Sequence, residues 1–377
     1  MKILLVSNYL FDNQQSMQRF AQMLETGLTQ FGHEVRLLRP KPVLGRLKPS
    51  SQGLGKWLGY LDKFILFPPA LKKAIAWADI VHICDHSNAF YTKYLQNVPH
   101  LVTCNDLLAI RSALGEIEEN QTKWTGRQLQ RMVLNGLNKA ERVACISEQT
   151  RQELLRLSDL HPQDVSRIYM GLNYPYKPMD ETEAKKRLTA LSVPLNVPFI
   201  LHVGANHWYK NRIGVLKIFH SVLEKHSDEN LYLVMAGSPF TGTMRNYIKN
   251  HNLTNKVIEL IGVPNEDLQA LYSTAKALLF PSLQEGFGWP IIEAQACGCP
   301  VFTSNRPPMT EVGGDAAIYI DPELPKDAAN QIIDSFPKLD SLKEVSLANA
   351  EKFKLETMIS KYLNEYDKVI THQTFIM

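Results

Sequence analysis

Two glutamates stand eight positions apart in the stretch SLQEGFGWPIIEAQACGCPV, residues 282–301. Glu285 precedes two glycines, and Glu293 follows Pro290, whose fixed φ suits the first turn of a helix. The glycines therefore predict a loop whose backbone amides can approach a ligand, in front of a helix N-terminus that attracts an anion. A carboxylate accepts hydrogen bonds from two sugar hydroxyls. This chemistry favours a phosphate held between two sugar rings, and the alternative is a turn with a capping glutamate.

The elements that must position these groups alternate along the whole chain. Short aliphatic and β-branched runs are separated by amphipathic helical segments, as parallel βαβ units require. The predicted strands of the first half are 2–6, 34–38, 79–83, 100–104 and 142–147, and those of the second half are 199–204, 231–237, 257–262, 276–282, 300–304 and 316–322. The stretch 171–180, rich in proline and tyrosine, suits a linker between the two series.

This rhythm predicts an α/β fold with two Rossmann-like, doubly wound parallel-sheet domains that face a cleft. The length of 377 residues agrees, because it exceeds what one core usually supports. Ligands of such sheets bind beyond the carboxyl ends of the strands. The first strand is followed by SNYLFDNQQSM, which lacks the glycines of a dinucleotide-binding turn, so a nicotinamide enzyme is not expected.

Charge and cysteine content exclude further classes of protein. A net charge of +3 is too small to indicate a nucleic-acid partner. The five cysteines are predicted to be buried reduced thiols, and Cys297 and Cys299 lack a second Cys or His pair with metal-ligand spacing. The opening MKILLV is too short for a signal peptide, and no apolar run reaches the roughly 20 residues that span a bilayer. We therefore expect a cytoplasmic protein without a metal.

The stretch PSLQEGFGWPIIEAQACGCPVFTSNRPPMTEVGGDAAIYIDP, residues 281–322, closely resembles the donor-binding signature of the family 4 retaining glycosyltransferases, which have the GT-B fold. The similarity covers essentially the whole second half, through ILHVGANHWYKN, LVMAG, IGVPNEDLQALYSTAKALLFPS and FKLETMISKYLNEYDKV. The first half matches more loosely, in MKILLVSNYL, FGHEVRLL and ADIVHICDH. The resemblance implies an acceptor-binding domain over 1–172, a donor-binding domain over 173–355 and a helical segment, 356–377, that crosses back to the first domain.

The resemblance also implies roles for residues on the donor side. Glu293 takes the position of the glutamate that binds the nucleotide ribose, and Glu285 that of the glutamate that contacts the transferred sugar. Lys210 matches the lysine that neutralises the pyrophosphate and stabilises the leaving group; its alternative is a solvated loop lysine. The remaining positions are Gly286, Phe287 and Gly288 around the diphosphate and sugar, and Gly237, Ser238, Val263 and Pro264 near the base.

The second half departs from the family pattern at one charged position. An arginine is common five residues before the lysine, and this chain has Ala205 there. Arg212, two residues after the lysine, is a candidate to supply the missing cation. Asn206 lies nearer and is a candidate to help by hydrogen bonding.

The first half departs further. Where many relatives have a histidine in a Thr-x-His-Asp sequence, this chain has Asn105. An asparagine can hydrogen-bond a sugar oxygen but cannot shuttle a proton at neutral pH. The glycine-rich loop that follows the first strand in many relatives is also missing, which makes Gln15 and Ser16 candidates to face the diphosphate. His86 is the candidate on the acceptor side.

The segment 39–73 is basic and apolar at once. It holds eight lysines and arginines against one acid, Asp62, with aromatic and aliphatic side chains interleaved. That composition is typical of a helix that lies on a membrane surface, and the charges can add up on an anionic leaflet. The predicted partner is the inner face of an anionic membrane. The alternative is a helix packed on the sheet whose lysines extend to solvent.

The resemblance implies a retaining, metal-independent glycosyltransferase without a cofactor. It would move a hexose-type sugar from a nucleotide-diphosphate sugar to a hydroxyl of a glycan or lipid-linked acceptor, in polysaccharide or glycolipid biosynthesis. In the mechanism usually proposed for the family, the departing phosphate oxygen takes the acceptor proton. Asn105 and Ala205 favour the alternative, a non-catalytic relative that binds a nucleotide sugar or a glycan. A GT-B epimerase or phosphorylase is a third class.

Overall fold

The computed structural model describes residues 1–12, 14–48, 53–195, 197–225 and 230–374. The chain divides into two compact units. Unit 1 comprises Met1–Asn173 together with Leu355–Met377, and unit 2 comprises Tyr174–Lys354. The boundary after Asn173 falls inside the stretch rich in proline and tyrosine.

Within the described residues, unit 1 contains one sheet of six parallel strands in the order β2-β1-β3-β4-β5-β6. The strands are β1 Lys2–Val6, β2 Glu34–Leu38, β3 Ile80–Ile83, β4 His100–Cys104, β5 Arg142–Cys145 and β6 Val165–Arg167. The five predicted strands are confirmed, with ends that differ by at most two residues. The sequence pattern does not predict β6, because its three residues carry no apolar run.

The helices of unit 1 are α1 Gln15–Gln30, α2 Gly53–Leu61, α3 Phe67–Ile75, α4 Leu108–Leu114, α5 Trp124–Leu137, α6 Glu148–Leu157 and, from the end of the chain, α15 Leu355–Thr374. The terminal helix packs beside α1 and β4. Its Tyr362 and Tyr366 are fully buried. The Tyr366 hydroxyl lies 2.7 Å from Nδ1 of His82, and that of Tyr362 lies 2.9 Å from Oγ1 of Thr103, whose hydroxyl is 2.7 Å from Nε2 of the same imidazole. His82 is therefore a core residue, as its place within β3 suggests.

Within the described residues, unit 2 contains a second sheet of six parallel strands, in the order β12-β11-β10-β7-β8-β9. The strands are β7 Phe199–Gly204, β8 Tyr232–Gly237, β9 Val257–Ile261, β10 Ala277–Phe280, β11 Val301–Ser304 and β12 Ala317–Ile320. All six were predicted, again with ends within two residues. The helices are α7 Glu181–Ala190, α8 Arg212–Lys225, α9 Gly242–Asn250, α10 Asn265–Thr274, α11 Trp289–Ala296, α12 Met309–Gly313, α13 Pro325–Ser335 and α14 Leu342–Ala350.

The order of the strands decides which loops meet. In unit 2, β10 pairs with β7, so the loops that follow these two strands lie side by side at the carboxyl edge. In unit 1, β1, β3 and β4 are neighbours, and their following residues share one edge in the same way. Two doubly wound α/β sheets are therefore confirmed. All five cysteines are free and buried, also as predicted.

From Gly53 onward, the basic apolar segment forms a nearly continuous helix. Residues 49–52 lie outside the described residues, and α2 then runs through a π-helical turn, Asp62–Leu66, into α3. Asp62 is buried and accepts hydrogen bonds from the backbone amides of Leu44 and Gly45, both at 2.9 Å, and from the Tyr9 hydroxyl at 2.8 Å. Asp62, the one acid of the segment, therefore stabilises the preceding loop through these hydrogen bonds. None of the helices among the described residues combines the length and apolar character that crossing a bilayer requires.

Candidate functional site

The glycine loop of unit 2 ends at the helix that the sequence predicts. Gly288 is the N-cap of α11 with a φ of 108°, a left-handed conformation that favours glycine, and a proline follows in the first helical turn. Glu293 lies one turn into this helix and is buried. The hydroxyl of Tyr272, on α10, donates a hydrogen bond to Oε2 of Glu293 at 2.9 Å. Burial, followed by the charge of Glu293, raises the pKa of Tyr272 well above its usual value, so the phenol stays a donor.

Lys210 and Glu285 come together at the same edge. The ammonium lies 2.7 and 2.9 Å from the two carboxylate oxygens, and the side chain of Glu285 is only 7% exposed. The lysine ends a short turn after β7, and the glutamate follows β10. Asn211 links these two loops, because its side-chain amide donates to the carbonyl of Pro281 at 3.0 Å. The interpretation of Lys210 as a solvated loop lysine is wrong, because its charge is held in a partly buried bidentate pair.

Arg212 joins the loops that follow β7 and β8. It opens α8 and is buried, and its Nη1 donates to the carbonyl of Ser238 at 2.7 Å and to the side chain of Asn206. Its Nε and Nη2 have no hydrogen-bond partner among the described residues. Burial lowers the pKa of Arg212, and the carboxylate of Glu259 opposes that effect. The arginine thus orders two predicted donor-binding loops, and its contact with a diphosphate stays a prediction.

The other predicted donor-side residues line the same strand ends. Gly237 has a φ of 142°, and a Cβ there would lie 2.1 Å from the carbonyl oxygen of Gly204, so only glycine fits. Phe287 is buried and packs edge-on against Phe353 at 5.7 Å, while Gly286 precedes it in the loop. Val263 and Pro264 lie at the start of α10, after β9. The contacts of these residues with a donor stay predictions.

Unit 1 gathers polar side chains at the carboxyl ends of β1, β3 and β4. Asp85, which is buried, lies with Oδ1 3.1 Å from Nδ1 of His86 and 3.2 Å from Nδ2 of Asn105. Its Oδ2 accepts from the Ser87 hydroxyl at 2.6 Å and from Nδ2 of Asn8 at 2.5 Å. The predicted residues Asn105 and His86 are therefore in one cluster, organised by a carboxylate that sequence reasoning missed.

Several buried atoms of this cluster have no hydrogen-bond partner among the described residues. They are Oδ1 of Asn8, Oδ1 of Asn105, Oγ of Ser7 and Nδ2 of Asn88. A buried polar atom without a partner costs roughly 1–3 kcal/mol, so a polar ligand that satisfies it is favoured. Gln15 and Ser16 lie exposed in the first turn of α1, whereas the side chain of Gln14 reaches the amide of Asn8.

Two family descriptions match this chain. Glycosyl transferases group 1 matches residues 185–352, and Glycosyltransferase Family 4 matches residues 17–174. Together they account for most of both units. The chain belongs to the family 4 glycosyltransferases. The resemblance carried by the glutamate signature is thereby confirmed.

This family 4 chain is similar in sequence to one characterised relative and in structure to two solved proteins. O-antigen chain mannosyltransferase B of Escherichia coli is 27% identical over 246 residues, which are 64% of each protein, so the match spans less than two thirds of the relative. Sucrose-phosphate synthase of Thermosynechococcus elongatus superposes with a TM-score of 0.78 at 19% identity, over 99% of this chain and 100% of that one. Anabaena HepE in complex with UDP-glucose gives 0.75 at 15% identity, over 98% and 100%. The predicted GT-B fold class is confirmed.

Sequence reasoning missed three functional candidates in this family 4 chain. Tyr272 carries no motif, but it is the fourth aromatic or aliphatic residue of DLQALY, on the buried face of α10. Asp85 and Asn8 each stand two residues past a buried strand, and that position was an available signal. Polar residues directly after parallel strands project at the ligand-binding edge.

Proposed function

We propose that this protein is a retaining glycosyltransferase that moves a hexose-type sugar from a nucleotide-diphosphate sugar to a hydroxyl of a glycan or lipid-linked acceptor. The observation that carries the proposal is the group formed by Lys210, Glu285 and Glu293 around the N-terminus of α11. It joins one cation, a helix N-terminus and two carboxylates within one unit. In a nucleotide sugar, the cation and the helix N-terminus would bind the diphosphate, and the two carboxylates would accept hydrogen bonds from the two sugar rings.

Lys210, Glu285 and Glu293 have different roles in the proposed reaction. Lys210 meets the negative charge that develops on the diphosphate as the glycosidic bond breaks, and the amides at the start of α11 add to that stabilisation. Glu285 accepts hydrogen bonds from hydroxyls of the transferred sugar, and Glu293 from those of the ribose. The departing phosphate oxygen takes the acceptor proton on the same face of the sugar. This route needs no metal, and it retains the anomeric configuration.

The relatives support the choice of substrate class. HepE was solved with UDP-glucose bound, and the E. coli relative is named a mannosyltransferase of O-antigen chains. Within the described residues, no three His, Cys, Asp or Glu side chains are grouped so that they could hold a metal ion. A nucleotide-sugar donor and an acceptor from polysaccharide or glycolipid biosynthesis follow as the proposed partners.

The test is donor turnover. The chain is incubated with UDP-glucose, GDP-mannose and ADP-glucose, with candidate glycan acceptors and with or without EDTA. We expect release of one nucleoside diphosphate, unaffected by EDTA, and a product whose anomeric proton coupling matches that of the donor. Tight binding of a nucleotide sugar in calorimetry without turnover would favour the non-catalytic alternative. An inverted product would contradict the retaining mechanism.

We further propose that unit 1 contacts an anionic membrane surface at the cytoplasmic side through the segment 39–73. A stripe of apolar side chains on α2 and the following π-turn is open to solvent: Leu54, Trp57, Leu61 and Ile65, which are 59%, 58%, 39% and 61% exposed. Their spacing of three, four and four residues keeps them near one helix face. The exposed charges of the described part are all cationic, at Lys41, Arg46, Lys48, Lys56, Lys72 and Lys73, since Asp62 is buried. Apolar side chains among cations suit the headgroup region of an anionic leaflet.

Vesicle flotation tests this contact. The chain is mixed with vesicles of phosphatidylcholine alone or with phosphatidylglycerol added. We expect binding only to the anionic vesicles, and its loss in the double variant Trp57→Ser, Ile65→Ser. Trp124→Ser is the matched control, because Trp124 is also exposed but lies outside the segment. Equal flotation of the double variant and the wild type would contradict the proposal.

A further inference from the structure

The residues that follow the unit boundary are hydrogen-bonded along α10. Residues 174–179 (the linker segment) belong to unit 2. Three side chains of α10 bond to this segment, at Asn265, Gln269 and Ser273. Their partners in the segment are the Tyr176 hydroxyl at 3.4 Å, the Lys177 carbonyl at 2.8 Å and the Met179 amide at 3.0 Å. Because the three positions of α10 are four residues apart, the linker segment lies along one face of this helix.

Tyr176 is buried, although both of its neighbours in the sequence are exposed. Its ring meets that of Tyr272, on α10, in an edge-on contact with ring centroids 5.8 Å apart and an interplanar angle of 87°. The ring of Tyr174 lies 5.0 Å from that of Tyr176, again edge-on. Aromatic pairs prefer this geometry, which adds to the stabilisation from burial. The two contacts therefore hold the linker segment to the ring of Tyr272.

Tyr272 connects this aromatic contact to the candidate site. Its ring is fully buried, and its hydroxyl donates the 2.9 Å hydrogen bond to Oε2 of Glu293. A hydrogen bond weakens steeply when its angle departs from linearity, so the strength of this bond depends on the orientation of the ring. The contact with Tyr176 limits that orientation. The position of the Glu293 carboxylate therefore depends on a side chain of the linker segment.

We propose that Tyr176 is a positioning residue for nucleotide binding, because it fixes the Glu293 carboxylate through the ring of Tyr272. This inference rests on the proposed function, in which Glu293 accepts hydrogen bonds from the ribose. The part of the donor concerned is the nucleoside, whose ribose carries two hydroxyls that one carboxylate can accept from. The linker segment thus sets part of the affinity for a nucleoside diphosphate, although none of its residues belongs to the glutamate signature.

Calorimetry with UDP, GDP and ADP on three single variants tests the role of the ring. Tyr176→Leu removes the ring but keeps an apolar side chain, and it is expected to raise Kd by about three- to tenfold, no more than Tyr272→Phe does. Tyr176→Phe keeps the ring and loses only the bond to Asn265, so its Kd should stay within twofold of the wild type. Phe219→Leu is the matched control, because Phe219 is fully buried in a core cluster formed with α9 and α13. It should lower Tm and leave Kd within twofold.

A double-mutant cycle separates positioning from a general loosening of unit 2. In Tyr272→Phe the phenol bond to Glu293 is absent, so adding Tyr176→Leu should raise Kd by less than a further twofold. If Tyr176 only stabilised the fold, the two effects would multiply. Steady-state kinetics gives a second readout. In Tyr176→Leu the KM for the nucleotide sugar should rise more than kcat falls, because Lys210 and Glu285 lie on the loops after β7 and β10.

Weaker binding by Tyr176→Leu, with Tyr176→Phe close to the wild type and effects that do not multiply in the cycle, supports the proposal. A folded Tyr176→Leu that binds within twofold of the wild type overturns it, as does a Tyr176→Phe that binds as weakly or a cycle whose effects multiply. If Tyr176→Leu does not fold, Gln269→Leu decides: it removes the bond to the Lys177 carbonyl and should raise Kd at least twofold, and an unchanged Kd overturns the proposal. A wild-type chain that binds none of the three nucleotides contradicts the proposed function instead.

Discussion

The carboxyl edges of the two sheets hold their buried carboxylates with different kinds of partner. In unit 2, Glu285 is paired with Lys210, 75 residues away, and Glu293 with the Tyr272 hydroxyl, 21 residues away. In unit 1, Asp85 is held by the adjacent His86, by the hydroxyl of Ser87, and by the side-chain amides of Asn105 and Asn8, which lie 20 and 77 residues away. Both edges thus hold a buried carboxylate with side chains that the fold must bring together, but only in unit 2 is the counter-charge itself supplied by a distant loop.

This difference shows where each site depends on the fold. A long-range ion pair fails if either loop moves, because a buried charge without its partner is strongly unfavourable. The pair of Asp85 and His86 survives small movements of the loop, since its members are adjacent. The unpaired side-chain oxygens of Asn8 and Asn105 follow two different strands, so their relative position depends on the register of those strands. We therefore expect the largest effects of single changes in unit 2.

Removal of Lys210 is expected to have the largest effect. In Lys210→Ala, Glu285 keeps a buried charge without a cation, and the diphosphate of the proposed donor loses its counter-charge. We expect kcat to fall by roughly 10²- to 10³-fold, the range for loss of one electrostatic stabiliser of a transition state. Steady-state kinetics with the preferred nucleotide sugar measures this. Lys217→Ala is the control, because Lys217 is exposed on α8. A comparable fall in the control would show that the loss is not specific to the pair.

Changes at Glu293 are expected to act on affinity rather than on turnover. Glu293→Gln weakens the proposed acceptor for ribose hydroxyls, so the Kd of UDP or GDP should rise by about 10- to 100-fold. Tyr272→Phe leaves the carboxylate without one donor and should give a smaller rise. Isothermal calorimetry measures both. Tyr319→Phe, which removes a phenol that donates to the backbone carbonyl of Gly314, is the matched change elsewhere in unit 2. An unchanged Kd for Glu293→Gln would contradict the placement of the ribose.

A buried histidine in each unit allows the two cores to be compared by pH. Burial lowers the pKa of His82 in unit 1 and of His202 in unit 2 to about 3. In the unfolded chain each binds a proton near pH 6.5, so stability is full above that pH and falls as pH drops towards 3. The expected slope is about 1.4 kcal/mol per pH unit for each histidine.

Thermal unfolding at pH 7.0 and 5.5 measures this fall in stability. In His82→Gln and His202→Gln, the difference in midpoint between the two pH values should shrink, because the replaced side chain takes up no proton. His161→Gln is the control, since His161 is exposed at the surface of unit 1. The same pH dependence in the wild type and both core variants would show that other groups control acid unfolding.

The fold was predictable because its signals are local and repeated. Eleven of the twelve strands of the described residues follow from runs of aliphatic and β-branched residues, and β6 escaped because VSR has no such run. The start of α11 was predictable from Gly288 and the proline that follows it. Glycine readily adopts the positive φ found at this N-cap, and the fixed φ of proline suits the first turn of a helix.

The site was predictable only where a motif carried it. Lys210, Glu285 and Glu293 follow from the family signature, but the ion pair between the first two depends on β10 lying beside β7, which no local pattern encodes. Tyr272 reaches Glu293 through packing of α10 on α11. In unit 1, the proximity of His86 and Asn105 arises from strand order, so sequence reasoning treated the departure at Asn105 and the candidate His86 separately, whereas the fold places them in one cluster.

The smallest expected effect gives the sharpest test of the long-range pair. A diphosphate that binds Lys210 must draw the ammonium away from Glu285, so the pair competes with nucleotide binding. Glu285→Gln keeps the shape of the side chain but removes that competing charge. We therefore expect UDP or GDP to bind about three- to tenfold more tightly, while turnover of the sugar donor falls because the transferred sugar loses its acceptor.

The two glutamates of the opening signature should then change nucleotide affinity in opposite directions. Calorimetry with the same nucleoside diphosphate on Glu285→Gln and Glu293→Gln measures both signs in one experiment. A general loosening of the loop would weaken binding in both variants, so opposite signs can arise only if one carboxylate holds the ribose and the other holds the lysine. Weaker binding by Glu285→Gln would mean that the ion pair supports the diphosphate site instead of competing with it.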